Sequence, residues 1–169
     1  MPDFLTLKED DEKLQGYDAC FFCAGVSSVG KKEAEYTKIT YDTTLHFAKA
    51  LNPNPAMSFI YVSGGGTDST EKGRMMWARV KGKTENDLMK LPFKQSFGYR
   101  IGFVKPAVGQ VHVLKYYPYI SWLFPVIRIL FPFMYSTMKQ VSQSMIYVAQ
   151  NSYKQNVIYV KDIKDLAKR

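Results

Sequence analysis

Apolar positions in this chain fall into two kinds of stretch: short continuous runs, and longer segments spaced in threes and fours. The runs over 17–24, 57–62, 97–104 and 157–160 carry aromatic and β-branched residues, and their lengths fit strands buried on both faces. Gly98 and Gly102 interrupt the third of them. Between the runs the spacing turns helical. Tyr41, Leu45 and Ala48 mark a helix over 31–51, which Asn52-Pro53-Asn54-Pro55 stops. Met76, Val80, Leu88 and Leu91 form one stripe of a helix over 71–90. Met138, Val141, Met145 and Val148 form another over 136–151. Thr6-Leu7-Lys8-Glu9 has capping-box spacing and predicts a short helix over 7–15, closed by Gly16. Asp162 caps a last turn bearing Ile163, Leu166 and Ala167. Strands alternating with helices predict an α/β fold built on a parallel sheet, one domain over 1–169.

One stretch departs from this rhythm. Residues 116–135 read YYPYISWLFPVIRILFPFMY, almost wholly apolar and nearly long enough to span a bilayer. Pro118, Pro125 and Pro132 divide it and Arg128 lies inside it, which argues against a transmembrane helix. Three readings remain: a lid over an apolar substrate, an interface, or a segment lying on a membrane surface. The region 105–135 is therefore expected to be a substrate-pocket or interface insertion.

Composition narrows the classes. Of 169 residues, 46% are hydrophobic and 22% charged, enough to bury a core and too apolar for wholesale disorder. The net charge of +8 permits an acidic partner without requiring one. Lys72, Arg74, Arg79 and Lys83 read as a solvated basic face, and no nucleic-acid-binding motif accompanies them. Cys20-Phe21-Phe22-Cys23 has redox or zinc spacing, but on a strand residues three apart point to opposite faces. His46 and His112 stand alone, so the expectation is buried structural thiols and no metal. The first residues lead straight into the charged run 8–12 without an apolar signal segment, which predicts a cytosolic protein.

The chemistry-bearing stretch is Tyr61-Val62-Ser63-Gly64-Gly65-Gly66-Thr67-Asp68, followed by Met76-Trp77-Ala78-Arg79-Val80-Lys81-Gly82-Lys83. Ser63 leaves the carboxyl end of a strand, where α/β sheets bind their ligands, and Lys81 sits one turn after Trp77 on the next helix. The two are placed to converge. The triple glycine lacks the Lys-Ser/Thr of a P-loop and the third glycine of a dinucleotide fingerprint, so it reads as a flexible turn beside Ser63. Ser63 lies outside a Gly-x-Ser-x-Gly elbow, which disfavours a hydrolase.

This pattern resembles the atypical or extended short-chain dehydrogenase/reductases, the NAD(P)-binding, epimerase/dehydratase-like proteins, over nearly the whole chain. Phe21-Phe22-Cys23-Ala24-Gly25 resembles the family's fourth strand and the turn beside its cofactor. Ser63 matches the catalytic serine and Lys81 the lysine of the Tyr-x-x-x-Lys motif. Tyr99-Arg100-Ile101-Gly102-Phe103-Val104 resembles the Arg-Pro-Gly segment, and 156–163 the closing strand and turn. The resemblance implies a partial Rossmann-like, doubly wound parallel sheet made of the later strands, with the first strands and their Gly-rich βαβ portion absent. It implies NAD or NADP as cofactor, with Ala24, Gly25, Val26, Lys81, Gly102, Phe103 and Val104 beside it. Ser63 would orient a substrate oxygen and Lys81 would hold the nicotinamide ribose.

Two departures shape the functional expectation. Trp77 stands at the tyrosine position, and an indole N–H donates a hydrogen bond but does not exchange a proton near neutral pH. Tyr61, two residues before Ser63, is the candidate substitute on the same strand face. The Gly-rich turn that brings backbone to a pyrophosphate is also missing, which predicts weak or no dinucleotide binding. The expectation is an NAD(P)-dependent oxidoreductase or epimerase-like protein, impaired or inactive as this chain. The alternative is a non-catalytic interaction or regulatory module that keeps the fold. The expected partners are a second copy of the chain or a separately supplied N-terminal half, covering the bare edge of 17–24, and an apolar small molecule.

Overall fold

The structure is a computed structural model and describes residues 4–8, 12–107, 109–110, 122 and 124–169. Four strands form one wholly parallel sheet in the order β1-β2-β3-β6: β1 (Ala19–Phe22), β2 (Ser58–Val62), β3 (Gln95–Arg100) and β6 (Val157–Tyr159). Parallel neighbours need crossovers, and helices supply them on both faces. The period-two geometry of β2 sorts its side chains accordingly. Phe59 and Tyr61 enter one core with Phe22, Leu45, Ala48 and Leu51, while Ile60 enters the other with Val141, Met145, Val148 and Ile163.

The first core lies under a continuous rod made of α1 (Glu33–Thr37), a π turn (Lys38–Asp42) and α2 (Thr43–Ala50). It ends where Asn52 takes a left-handed φ of 51° just before Pro53. Helix α3 (Met76–Leu88) completes that face. The second core lies under α5 (Met138–Asn151) and α6 (Val160–Leu166). Thr137 and Gln140 form a reciprocal capping box that fixes where α5 begins.

A separate ribbon pairs β4 (Phe103–Lys105) with β5 (Tyr135–Thr137), again in parallel, and α4 (Phe124–Leu130) lies between them in sequence. The apolar stretch 116–135 is thus only partly described. Residues 116–121 and 123 lie outside the described residues, as do 108 and 111–115 of the region 105–135 expected to shape a pocket or interface. Among the described residues no helix is long and apolar enough to cross a membrane.

Several expectations need correction. The helix over 7–15 does not form: single 3-10 turns stand at Phe4–Thr6 and Glu12–Leu14, with 9–11 outside the described residues. The run 97–104 is not one strand. After Arg100 the chain turns at Ile101 and Gly102, whose α-carbon lies against the Met134 carbonyl, and β4 joins the second ribbon. Helix α3 starts at Met76 rather than 71, because Asp68 holds the preceding loop. Its carboxylate accepts from the backbone N–H of Thr70 at 2.9 Å and of Gly73 at 2.6 Å. This loop rests directly on Gly82, where any Cβ would enter the Asp68 carbonyl. The two cysteines are free, but only Cys20 is half-buried; Cys23 is exposed because β1 ends one residue before it.

Candidate functional site

Strands β1, β2 and β3 run the same way, so the segments after Phe22, Val62 and Arg100 leave one edge of the sheet together. The Ser63 N–H donates to the Tyr99 carbonyl at 2.9 Å, and the Gly65 N–H to the Ile101 carbonyl at 2.8 Å. These bonds extend the β2–β3 pairing and fix the start of the glycine turn. Trp77, half-buried on the first turn of α3, lies over that turn. A Cβ on Gly66 would stand 2.7 Å from its ring, so glycine is what lets the indole approach.

Lys81 follows Trp77 by one helical turn and reaches the same place. Its ammonium donates to the backbone carbonyl of Ser63 at 2.5 Å. Burial lowers its pKa from the ordinary lysine value, with the nearby Glu85 carboxylate opposing that shift. An ammonium has three donors and this bond uses one. The structure therefore brings together Ser63, Trp77 and Lys81, as the spacing predicts, but through the serine's backbone and not its hydroxyl.

The Ser63 hydroxyl points into the protein. It donates to Glu85 Oε1 at 2.5 Å and lies 3.2 Å from the Tyr99 carbonyl oxygen. Glu85 has no exposed side-chain surface and is clamped by Arg100, whose Nη2 lies 2.6 Å and Nε 3.1 Å from Oε2. Arg100 also donates to the Tyr159 hydroxyl at 3.1 Å and to the Ser69 hydroxyl. The cluster is satisfied on every side, which a buried ion pair requires. The carboxylate is taken up by the guanidinium and the serine is sealed from solvent, so the pair is not an activated nucleophile.

This cluster escapes a reading of the sequence because Glu85 and Arg100 look like surface charges there. One signal was available. Gly98 sits mid-strand, where glycine marks a close approach, and a Cβ there would stand 2.5 Å from Glu85 Oε1. The glycine makes room for a carboxylate on the sheet.

Tyr61 is not a substitute acid. It is 2% exposed within the first core, and burial, with Tyr36 and Glu85 nearby, pushes its hydroxyl far above the usual tyrosine range. The remaining candidates divide. Ala24, Gly25 and Val26 follow β1 at the carboxyl edge, with Gly25 exposed and Ala24 packed on the first core. Val104 packs on the second core and Phe103 is exposed, on a ribbon of their own. In the basic face, Arg79 pairs with Glu33 at 2.6 Å and Lys83 with Asp87 at 2.7 Å, so it is partly neutralised locally. Burial, with Cys23 adding to it, pushes the Cys20 thiol up to about 12. Among the described residues no group of three or more His, Cys, Asp or Glu side chains could hold a metal ion. No family model matches the chain, and no curated protein matches it significantly.

Proposed function

We propose that this protein is an NAD(P)-dependent oxidoreductase- or epimerase-like chain in which the dinucleotide site survives in weakened form and the proton-transfer chemistry does not. The observation that carries the reading is the Lys81 ammonium, 2.5 Å from the Ser63 carbonyl at the carboxyl end of β2, with two of its three donors left for a ligand. A nicotinamide ribose offers vicinal hydroxyls, and a half-buried lysine at the end of a parallel strand suits them. The backbone after β1, at Ala24, Gly25 and Val26, and after β3, at Gly102, would flank the same ligand, with Phe103 and Val104 beyond.

Nicotinamide supplies hydride transfer when bound. The chain's own residues must then orient the substrate oxygen and move its proton. Trp77 offers a donor that does not ionise, Ser63 spends its hydroxyl on Glu85, and Tyr61 is buried with its pKa raised. Binding without turnover follows. The alternative, a non-catalytic interaction module, is favoured by the same inward serine and differs in needing no dinucleotide. For partners, the outer edge of β1 carries no strand among the described residues, and Phe21 there is 44% exposed. A second copy of the chain is the partner this reading places on it.

The test is turnover. The protein, and Trp77→Tyr, are assayed for NADH and NADPH oxidation with a panel of small aldehydes and ketones. The expected result is no turnover by either, since the ring swap leaves Ser63 facing Glu85. Robust oxidation by the unaltered chain would refute the loss of chemistry.

A further inference from the structure

Helix α4 is apolar on both of its sides. Phe124 and Ile127, three residues apart, turn inward and form a small core with Tyr135, the Phe124 and Tyr135 rings meeting edge-on at 6.0 Å. The other side presents Val126, Ile129 and Leu130 to solvent, and the chain continues into the 3-10 turn Pro132–Met134 with Phe131 and Phe133 exposed. Exposure is high where it matters: 76% for Ile129, 66% for Phe133 and 70% for Trp122 just before the helix. Helices apolar all round are ordinarily covered, and soluble proteins seldom leave such a patch bare.

The stretch of chain that carries this patch is charged with one sign. From Leu88 to Lys161 the sequence contains no Asp or Glu. Arg128 on α4, Lys105 at the end of β4 and Lys139 at the start of α5 are all exposed, and Lys164 holds the Pro132 carbonyl at 2.5 Å. The bounding carboxylates are already engaged. Asp87 pairs with Lys83 and Lys90, and Asp162 accepts from the Tyr159 N–H at 3.0 Å. An aromatic and aliphatic tip with Arg128 on its helix, Lys164 on its turn and Lys105 and Lys139 at the far end of the ribbon matches the interface of a bilayer, where apolar groups enter the acyl boundary and cations meet anionic headgroups.

We propose that α4 and the turn Pro132–Met134 form a docking face for an anionic membrane surface. The helix is seven residues long and its buried side is fixed to β5, so it lies flat and inserts only Ile129, Leu130, Phe131 and Phe133, with Trp122 at headgroup depth. A second copy of the chain fits this face poorly. A two-fold contact sets this face against a second copy of itself, so the same cations come from both sides with no carboxylate from 88–161 to offset them.

The experiment is flotation of the full chain with vesicles of phosphatidylcholine alone and of phosphatidylcholine containing roughly one-third phosphatidylglycerol. The expected result is association with the anionic vesicles, about ten-fold stronger than with the neutral ones and weakened by salt. Ile129→Asp combined with Phe133→Asp lowers that association by about ten-fold, with an unchanged circular dichroism spectrum. Tryptophan emission shifts to the blue on anionic vesicles, and Trp122→Phe abolishes the shift. No flotation with anionic vesicles overturns the proposal, as does flotation unaffected by the double substitution. An oligomer in lipid-free solution that Ile129→Asp dissociates also overturns it, and assigns the face to a second copy.

Discussion

The Ser63 hydroxyl and the Glu85 carboxylate meet at 2.5 Å beneath α3, and Arg100 closes the carboxylate from the other side. That relationship sets the character of the site. A serine at the end of a parallel strand ordinarily has its hydroxyl free for a ligand, and here the hydroxyl is part of the interior. It ties the turn after β2 to α3 and β3. Lys81, one turn before Glu85 on the same helix, is left as the polar group that reaches the strand end.

Breaking the pair should be costly. Glu85→Gln leaves Arg100 buried without a counter-charge, and a loss of about 3–5 kcal/mol is expected in urea unfolding. Removing both charges, as Glu85→Met with Arg100→Met, should recover most of that loss. Gly98→Ala, which drives a methyl into Glu85 Oε1, should cost about 1–3 kcal/mol. A Glu85→Gln protein as stable as the original would mean that the ion pair does not hold this interface.

Stability should also depend on pH through Asp87. Burial pushes its carboxyl up, but hydrogen bonds from Lys83, Lys90 and Tyr41 outweigh that and hold it well below the ordinary carboxylate range. A depressed folded pKa contributes stability that is fully present above the unfolded value, near 3.9 for Asp, and is lost progressively as pH falls from there through the folded value. Lys83 and Lys90 are 46% and 74% exposed, so solvent screens the pairs and the total stays near about 1 kcal/mol. Thermal melts of the protein and of Asp87→Asn should differ at pH 6, with the gap narrowing below about pH 3.9 and closing only as pH falls through the depressed folded value. A gap that does not narrow below about pH 3.9 would assign the effect to something other than the charge.

Much of the architecture was legible in the residues. The apolar run of β2 is continuous because both its faces are covered, and the stop at Asn52-Pro53 and the start of α5 at Thr137 are local chemistry. The β4–β5 ribbon was not legible. Its strands are three residues each, separated by about thirty residues, and pair only through tertiary context. The place of Ser63, Trp77 and Lys81 followed from strand end and helical spacing. The inward turn of the serine did not, because it depends on Glu85 and Arg100 meeting across α3 and β3, and only Gly98 recorded that meeting in the sequence.

The edge of β1 gives a prediction about assembly. Ala19-Cys20-Phe21-Phe22 carries no Lys or Pro to guard its unpaired side. Sedimentation equilibrium at micromolar concentration should show a dimer, and Phe21→Lys should weaken it. A monomer throughout the concentration range would leave that edge without the second copy proposed for it.

The dinucleotide site itself is tested most directly by a two-dimensional NMR titration of the labelled protein with NADPH. Millimolar affinity is expected, a binding free energy of about −4 kcal/mol. Amide shifts should concentrate at Gly25, Val26, Ser63 to Gly66, Lys81 and Gly102, all reduced by Lys81→Ala. Saturation at low micromolar NADPH, shifts confined to another face, or a titration unchanged by Lys81→Ala would contradict the weakened site proposed.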